Sequence, residues 1–504
     1  MVKTLKLEEL ENIENLIKSG QSELARKKLQ RANVSKISRN RIHQYALLCR
    51  RAGLAEQAIK ALRPIVRSKN SQVKPKPQEV AIYANALAGI GGSDEAIKLL
   101  TQDWVLESEP MAHLYLAFAY FSKWNYAESI PHLEAFLRRS KKNSYSYFIG
   151  QVNFVAALIT LERHEEALEI LLPLETALMD RNHTVLAGNC KELKAQIYFH
   201  TGKLEAASKL LKEALELSGD KYPDALFAAK WLGLTNVKVQ KENQGKSPEL
   251  SVKLETVREK ALEFHHWETL RDMDLNLAKI EGDENLFWKV FFGSPFPQFR
   301  KTLLDRNNKK APKEFVRHLN GSNSKTILKV NDLHNGQNAI FKGGSLYQRL
   351  FHILASDFYR PQRIPKIFSE LYSDEYFDPE YSPKKVVMLI SRLRKLLEKV
   401  DIEIKEYGGN GYSIASDSSL ALVYSLEDLG SLDQTSFRLK KIEDEFAEEL
   451  FTCKQAAELF KVNNRTALRW LKELEEEGFL QKFGVKKGVR YQVAYKKDSG
   501  KQSA

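Results

Sequence analysis

The chain has 504 residues, more than one ordinary hydrophobic core holds, so it must divide into two to four domains. Hydrophobic residues make up 43% and charged residues 28%, which excludes a chain disordered throughout and leaves only residues 497–504 as a disordered tail. The net charge of +13 is uneven: +7 over residues 1–308, +6 over the much shorter 309–412, −4 over 413–437 and +4 over 438–504.

Positive charge is therefore densest just after residue 308, which favours a polyanionic partner there over a merely solvated basic surface. Cys49, Cys190 and Cys453 are far apart and each sits in a helical pattern, so neither a disulfide framework nor a CxxC metal knuckle is encoded. The most apolar stretch, Met111 to Phe121, is too short to span a bilayer, and the N-terminus lacks the continuous apolar core of a secretion signal. These features imply a cytoplasmic protein without a membrane partner.

The first half repeats one phrase six times, a turn followed by polar residues and then an Ala that opens an amphipathic helix. The aligned alanines are Ala25, Ala58, Ala96, Ala127, Ala167 and Ala207. A small residue recurs where two antiparallel helices approach closely, and Gly20, Gly53, Gly91 and Gly202 suit the left-handed end of the preceding helix. These phrases resemble degenerate tetratricopeptide repeats, which implies a helical-repeat array over 1–238 with a concave surface for a protein or peptide partner, or for oligomerisation such as a homodimer.

Residues 239–251 break the apolar pattern and read as a linker. Helical periodicity resumes over 251–306 through Leu254, Leu262, Leu270 and Leu277, a closing helical unit whose aromatic cluster Phe287, Trp288, Phe291 and Phe292 reads as core.

Over 320–416 the pattern changes. TILKVNDL and NAIFKG read as two short strands joined by HNGQ, followed by helices over 346–358, 364–372 and 382–400 and by the strand, glycine turn and strand of IEIKEYGGNGYSI. Strands, three helices and a C-terminal wing make a winged helix, whose third helix is available to a major groove. That helix places Val386, Leu389, Ile390, Leu393 and Leu397 on one stripe, with Lys384, Met388, Arg392 and Lys395 opposite and Lys385, Ser391 and Arg394 beside them.

Residues 326–414 resemble the effector domain of OmpR/PhoB-type response regulators in Val386, Ile390, Leu393, Arg394 and Leu397 and in the wing Gly409-Asn410-Gly411-Tyr412. The sequence departs from that signature at Val387, where the family has Asp, and at Leu396, where it has Lys. The resemblance implies a base-edge contact from Arg392, phosphate contacts from Lys384, Arg394 and Lys395, and a backbone or minor-groove contact from Asn410 at the wing tip.

After an acidic linker, residues 438–496 form a second module. Thr452 with Gln455 has capping-box spacing, Val462-Asn463 makes a turn, Asn464 caps the next helix, and two strands flank Val485 to Gly488. The module resembles the winged helix-turn-helix of DeoR-like repressors. That implies DNA contacts from Asn463, Arg465, Thr466 and Arg469 on its recognition helix and from Lys486 and Lys487 on its wing.

The fold class expected is thus mainly α, an α-solenoid of tetratricopeptide-like hairpins followed by two winged-helix domains. Gly321 to Thr326 lacks the second glycine of a phosphate-binding loop, and no local catalytic or metal-binding set can be assembled, so neither an enzyme nor a cofactor is expected. The leading function is a sequence-specific, nucleoid-associated transcriptional regulator that binds double-stranded DNA. The competing one is a helical-repeat scaffold whose winged helices bind proteins.

Overall fold

The repeated phrases of the first half become antiparallel helical hairpins in the computed structural model. It describes residues 7–18, 21–70, 72–219, 224–242, 248–320, 324–336, 338–341, 345–373, 375–408, 411–426, 434–460, 462–476, 478–484 and 488–494. The first hairpins are α1 (Leu7–Lys18) with α2 (Ser22–Gln30), α3 (Ile42–Arg51) with α4 (Ala55–Val66), and α5 (Pro77–Gly89) with α6 (Ser93–Leu100). After the short α7 (Asp103–Ser108) come α8 (Pro110–Phe121) with α9 (Tyr126–Arg139), α10 (Tyr145–Thr160) with α11 (His164–Met179), and α12 (Thr184–His200) with α13 (Leu204–Ser218). The series continues through α14 (Asp224–Glu242), α15 (Pro248–Glu263), α16 (Trp267–Glu281), α17 (Glu284–Phe292) and α18 (Pro297–Asn307).

The fourth residue of the second helix in each of the first hairpins is where the backbones approach. Ala25, Ala58, Ala96, Ala167 and Ala207 occupy it and are fully buried. In α9 that place belongs to Ser129, also fully buried, whereas Ala127 is exposed. The alignment on Ala127 is therefore two residues out of phase, because any small residue satisfies the close approach. Gly53, Gly91 and Gly202 take positive φ at the turns as expected, and Trp124 and Glu162 hold the equivalent left-handed positions without being glycine. Gly20 lies outside the described residues.

Leu254, Val257, Leu270 and Met273 of α15 and α16 share one core with Leu211, Leu226 and Trp231 of α13 and α14. The segment read as a linker, residues 239–251, thus includes the end of α14 and the start of α15, and the helices of 251–306 extend the array. Phe287, Phe291 and Phe292 are buried.

The rest of the chain forms β1 (Glu314–His318), β2 (Thr326–Lys329), β3 (His334–Asn335), β4 (Asn338–Ala339), α19 (Leu346–Ala355), β5 (Gln362–Arg363), α20 (Ile364–Leu371), α21 (Ser382–Leu397), β6 (Glu403–Tyr407), β7 (Gly411–Ala415) and β8 (Leu420–Ser425). TILK does not pair with the NAIFKG segment. It belongs to a sheet ordered β1-β8-β2, while β3 and β4 make a hairpin of their own. β8 lies in what reads by charge as an acidic linker. Leu420 to Tyr424 are all buried, so the apolar run outweighs the surrounding acids. β6 and β7 pair antiparallel with Glu403 opposite Ala415 and Tyr407 opposite Gly411, and β5 adds to the other edge of β7.

The last elements are α22 (Gln434–Phe446), α23 (Cys453–Phe460), α24 (Asn464–Glu476), β9 (Leu480–Phe483) and β10 (Arg490–Val493). They enclose their own core of Ile442, Phe451, Leu471, Leu474, Leu480 and Tyr491. Two compact units result. One comprises residues 1–311 with 317–422, and the other residues 312–316 with 423–504.

Candidate functional site

α21 buries Val386, Leu389, Ile390, Leu393 and Leu397, so its opposite face points away from the core. Lys384, Lys385, Met388, Ser391, Arg392 and Lys395 are exposed there, together with Val387. Arg392 and Lys395 have no hydrogen-bond or ion-pair partner among the described residues. Lys384 lies over the Tyr381 ring at 5.7 Å, and Lys385 pairs with Glu375 at 2.6 Å.

Arg394 differs from the expectation. Its Nε and Nη2 donate to the carbonyl oxygen of Ile404 at 3.2 and 3.0 Å, and its guanidinium sits over Tyr412. It ties the helix to β6 and is occupied within the protein, because a half-buried guanidinium that donates to a strand carbonyl has its own donors satisfied. Asn410 lies outside the described residues.

In the second unit Thr452 and Gln455 form the capping box. Thr452 N donates to Gln455 Oε1 at 2.9 Å and Gln455 N to Thr452 Oγ1 at 3.3 Å. The cap of α24 is Asn463 rather than Asn464, since Asn463 Oδ1 accepts from Thr466 N at 2.9 Å. That bond fixes the Asn463 side chain to its own helix, and Thr466 is only half-exposed, so neither is presented as freely as expected. Arg465 and Arg469 are exposed on α24, with Glu473 3.9 Å from Arg469. Lys486 and Lys487 lie outside the described residues.

Within the first unit, the segment around α19 to α21 is held by the helical array. Arg271 of α16 is fully buried and donates to both oxygens of Asp357 at 2.8 and 2.9 Å, to Ser294 Oγ at 2.6 Å and to Glu268 at 3.0 Å. Burial alone lowers its pKa, but the Asp357 and Glu268 carboxylates outweigh that and hold it above its usual value. Tyr359 donates to Asp274 at 2.9 Å, Arg363 to the Gly89 carbonyl at 2.8 Å, and the Phe377 amide to Glu95 at 2.8 Å. The end of β6 and the residue after it meet the array as well. Tyr407 meets Trp267 edge to face at 5.9 Å, and a Cβ on Gly408 would stand 2.8 Å from His265 Nε2.

A cavity of about 430 Å³ opens on the array between α9, α10, α12, α14, α16 and α18. Trp124, Tyr126, Phe227, Trp231 and Phe299 give it an aromatic wall, and Glu192, Lys230, Asp272 and Asn276 a polar one. Lys230 is ion-paired with Asp272, whose Oδ1 also accepts from Asn276 at 3.1 Å. Burial pushes the Glu192 carboxyl up to about 7 against the pull of Lys230. Burial also presses the His200 imidazole down to about 4, with His164 adding to the effect. Trp231 Nε1 is buried without a hydrogen-bond partner among the described residues.

Sequence reading pointed to none of these residues as a site, since they come from separate parts of the array and share no local motif. A repeat map of the positions opposite each buried small residue could have pointed to them. Cys49 and Cys190 are buried, and burial pushes both thiols up to about 12. Among the described residues no group of three metal-ligating side chains converges, and no helix is long and apolar enough to cross a membrane.

No protein-family model matches the chain, and no curated protein matches it. Among solved structures it is similar to a Rap protein complexed with competence and sporulation factor, at 13% identity over 59% of this chain and 88% of that one, with a TM-score of 0.41. The apo form of RapI matches at 14% identity over 59% and 97%, with a TM-score of 0.37. A human IFIT1 dimer with m7Gppp-AAAA matches at 13% identity over 92% and 88%, with a TM-score of 0.31. At scores this low, function rests on the chain's own residues.

Proposed function

We propose that the chain is a non-enzymatic, DNA-binding transcriptional regulator whose helical array takes a peptide or protein segment in its cavity. In this reading residues 320–416 are an OmpR/PhoB-like winged helix and residues 438–496 a DeoR-like one. The observation that carries it is the exposed face of α21, where Arg392 stands without a partner among Lys384, Lys395 and Met388, opposite a fully apolar stripe. A planar guanidinium on such a face matches the two acceptors of a guanine edge, while the lysines suit phosphates.

The cavity supports the second half of the proposal. Aromatic walls bury side chains, and amides and paired charges offer bonds to a peptide backbone. The scaffold reading draws on a different observation, since the face of the winged module around Asp357 to Asp378 already binds protein, namely its own array.

The test is selection of duplexes from a random pool by the intact chain, followed by affinity measurement at several salt concentrations. An enriched sequence bound with a steep salt dependence is expected. Absence of enrichment, with capture of protein ligands only, selects the scaffold reading.

A further inference from the structure

Residues 57–78 hold six basic residues, Lys60, Arg63, Arg67, Lys69, Lys74 and Lys76, and no acidic one. The run takes in α4 after its first-turn Glu56, the loop that follows and the first two residues of α5, within the helical array and outside both modules that the proposed function gives to DNA. Such a run is ordinarily a solvated face, so its place in the fold decides its meaning.

Arg63 forms an ion pair with Asp378, and Arg67 lies over the Tyr376 ring at 5.1 Å and pairs with Glu95, which also accepts from the Phe377 amide. Asp378 in turn organises the start of α21. Its amide donates to Ser382 Oγ at 2.9 Å, and its Oδ1 accepts from the amides of Glu380 and Tyr381. The two arginines therefore hold the lead-in to α21, and their own charges are matched.

Lys60 shares their stripe, three and seven residues before them on the helix, and it is exposed. Lys69 and Lys74 follow in the loop, also exposed, and none of the three lysines has a side-chain partner among the described residues. Unpaired lysines thus stand on the helix and loop whose arginines hold the lead-in to α21, a segment that also exposes Glu375 and Glu380. In the reading proposed above Lys384, in the first turn of α21, contacts a phosphate, so the protein surface flanking that end lies along the same backbone.

We infer that the exposed lysines of α4 and its following loop form a second phosphate-contacting surface, which grips the DNA backbone flanking the site read by α21. This rests on the DNA-binding reading proposed above. The array then adds affinity but no sequence information, and the bound duplex must extend beyond the bases that α21 reads.

The test uses the intact chain with its selected duplex, a scrambled duplex, and a version of the selected duplex trimmed to the α21 footprint. The K60A/K69A variant is compared with K209A/K212A, which removes the same charge from exposed positions of α13. All four side chains are exposed, so melting temperatures should match the wild type.

For K60A/K69A the slope of log affinity against log salt should fall by about two, with equal loss on selected and scrambled DNA. On the trimmed duplex the loss should vanish. An unchanged slope, or one altered equally by the α13 pair, overturns the inference while leaving DNA binding by α21 intact. If the wild-type chain binds no duplex at all, the DNA reading falls and this surface falls with it.

Discussion

Arg271 and Asp357 form a two-bond ion pair with no exposure of either side chain, joining α16 of the helical array to the turn that follows α19. Every remaining Arg271 donor group also finds an oxygen, at Ser294, Gly293 or Glu268, and Asp357 Oδ1 further accepts from the amides of Tyr359 and Arg360 at 3.0 Å. A buried pair of this kind adds little net stability over an apolar one, yet removing one partner strands the other charge in a dry site. Its weight lies in specifying how α19 to α21 seat on the array.

The first prediction follows directly. Arg271→Ala and Asp357→Ala should each destabilise the first unit by about 3 to 5 kcal/mol, and the double variant by less than the sum. Denaturant unfolding of the four proteins measures this coupling. Additive losses would show that the two groups do not act as a pair.

A second concerns fragments. Residues 311–504 contain both modules that the proposed function gives to DNA, and on sequence grounds this fragment is expected to fold alone and to bind duplex DNA. The contacts argue otherwise for residues 317–422, since Asp357, Tyr359, Arg363 and Phe377 would all lose partners on the array. In that fragment only the unit of residues 312–316 with 423–504 is expected to melt cooperatively, whereas in the intact chain residues 317–422 melt together with the array. Calorimetry with hydrogen exchange distinguishes the two, and full protection of α21 amides in the fragment would refute the expectation.

The third uses the cavity. Glu192 has its folded pKa raised from 4.5 to about 7, chiefly by burial. Below 4.5 it is protonated whether folded or unfolded and costs nothing. Above 7 the folded state must hold a desolvated carboxylate, so stability is lost as pH rises through that window. Glu192→Gln should therefore change little at pH 4 and stabilise the protein at pH 8 by roughly 3 kcal/mol, from 1.36 kcal/mol per pKa unit. Melting temperatures of the two proteins across pH 4 to 8 give the readout. A constant difference across that range would place Glu192 in a solvated setting.

Local signals were the legible ones. The apolar stripe of α21, the Thr452 capping box and the paired strands β6 and β7 are each determined by residues within a few positions of one another. β8 escaped because its charge environment suggests a linker while its pairing partners lie about a hundred residues earlier. Arg394 illustrates the same limit at the site. Helical geometry puts it beside the exposed basic face, but only the fold reveals that the Ile404 carbonyl comes within reach. The cavity and the contacts of Arg271 join helices far apart in the chain, where no pattern of spacing predicts a meeting.

The last prediction separates the basic residues of α21 by what each touches. Arg392 is exposed and unpartnered among the described residues, so Arg392→Ala should cost roughly 1 to 3 kcal/mol on the selected site and far less on scrambled DNA, because a two-bond contact to a base edge carries discrimination. Lys384→Ala and Lys395→Ala should weaken both duplexes alike and lower the salt slope by about one each, as phosphate contacts do. None of these three should move the melting temperature, since Val386, Ile390 and Leu393 on the buried stripe are untouched. Arg394→Ala should behave differently from all of them. It deprives the Ile404 carbonyl of both donors, so it should lower stability by about 1 to 2 kcal/mol and loosen β6 against α21, with any loss of DNA affinity following from that. Binding and melting measured on the same four variants decide the assignment. If Arg392→Ala keeps full preference for the selected sequence, the reading face belongs elsewhere, and Arg465 and Arg469 on α24 are the next residues to replace.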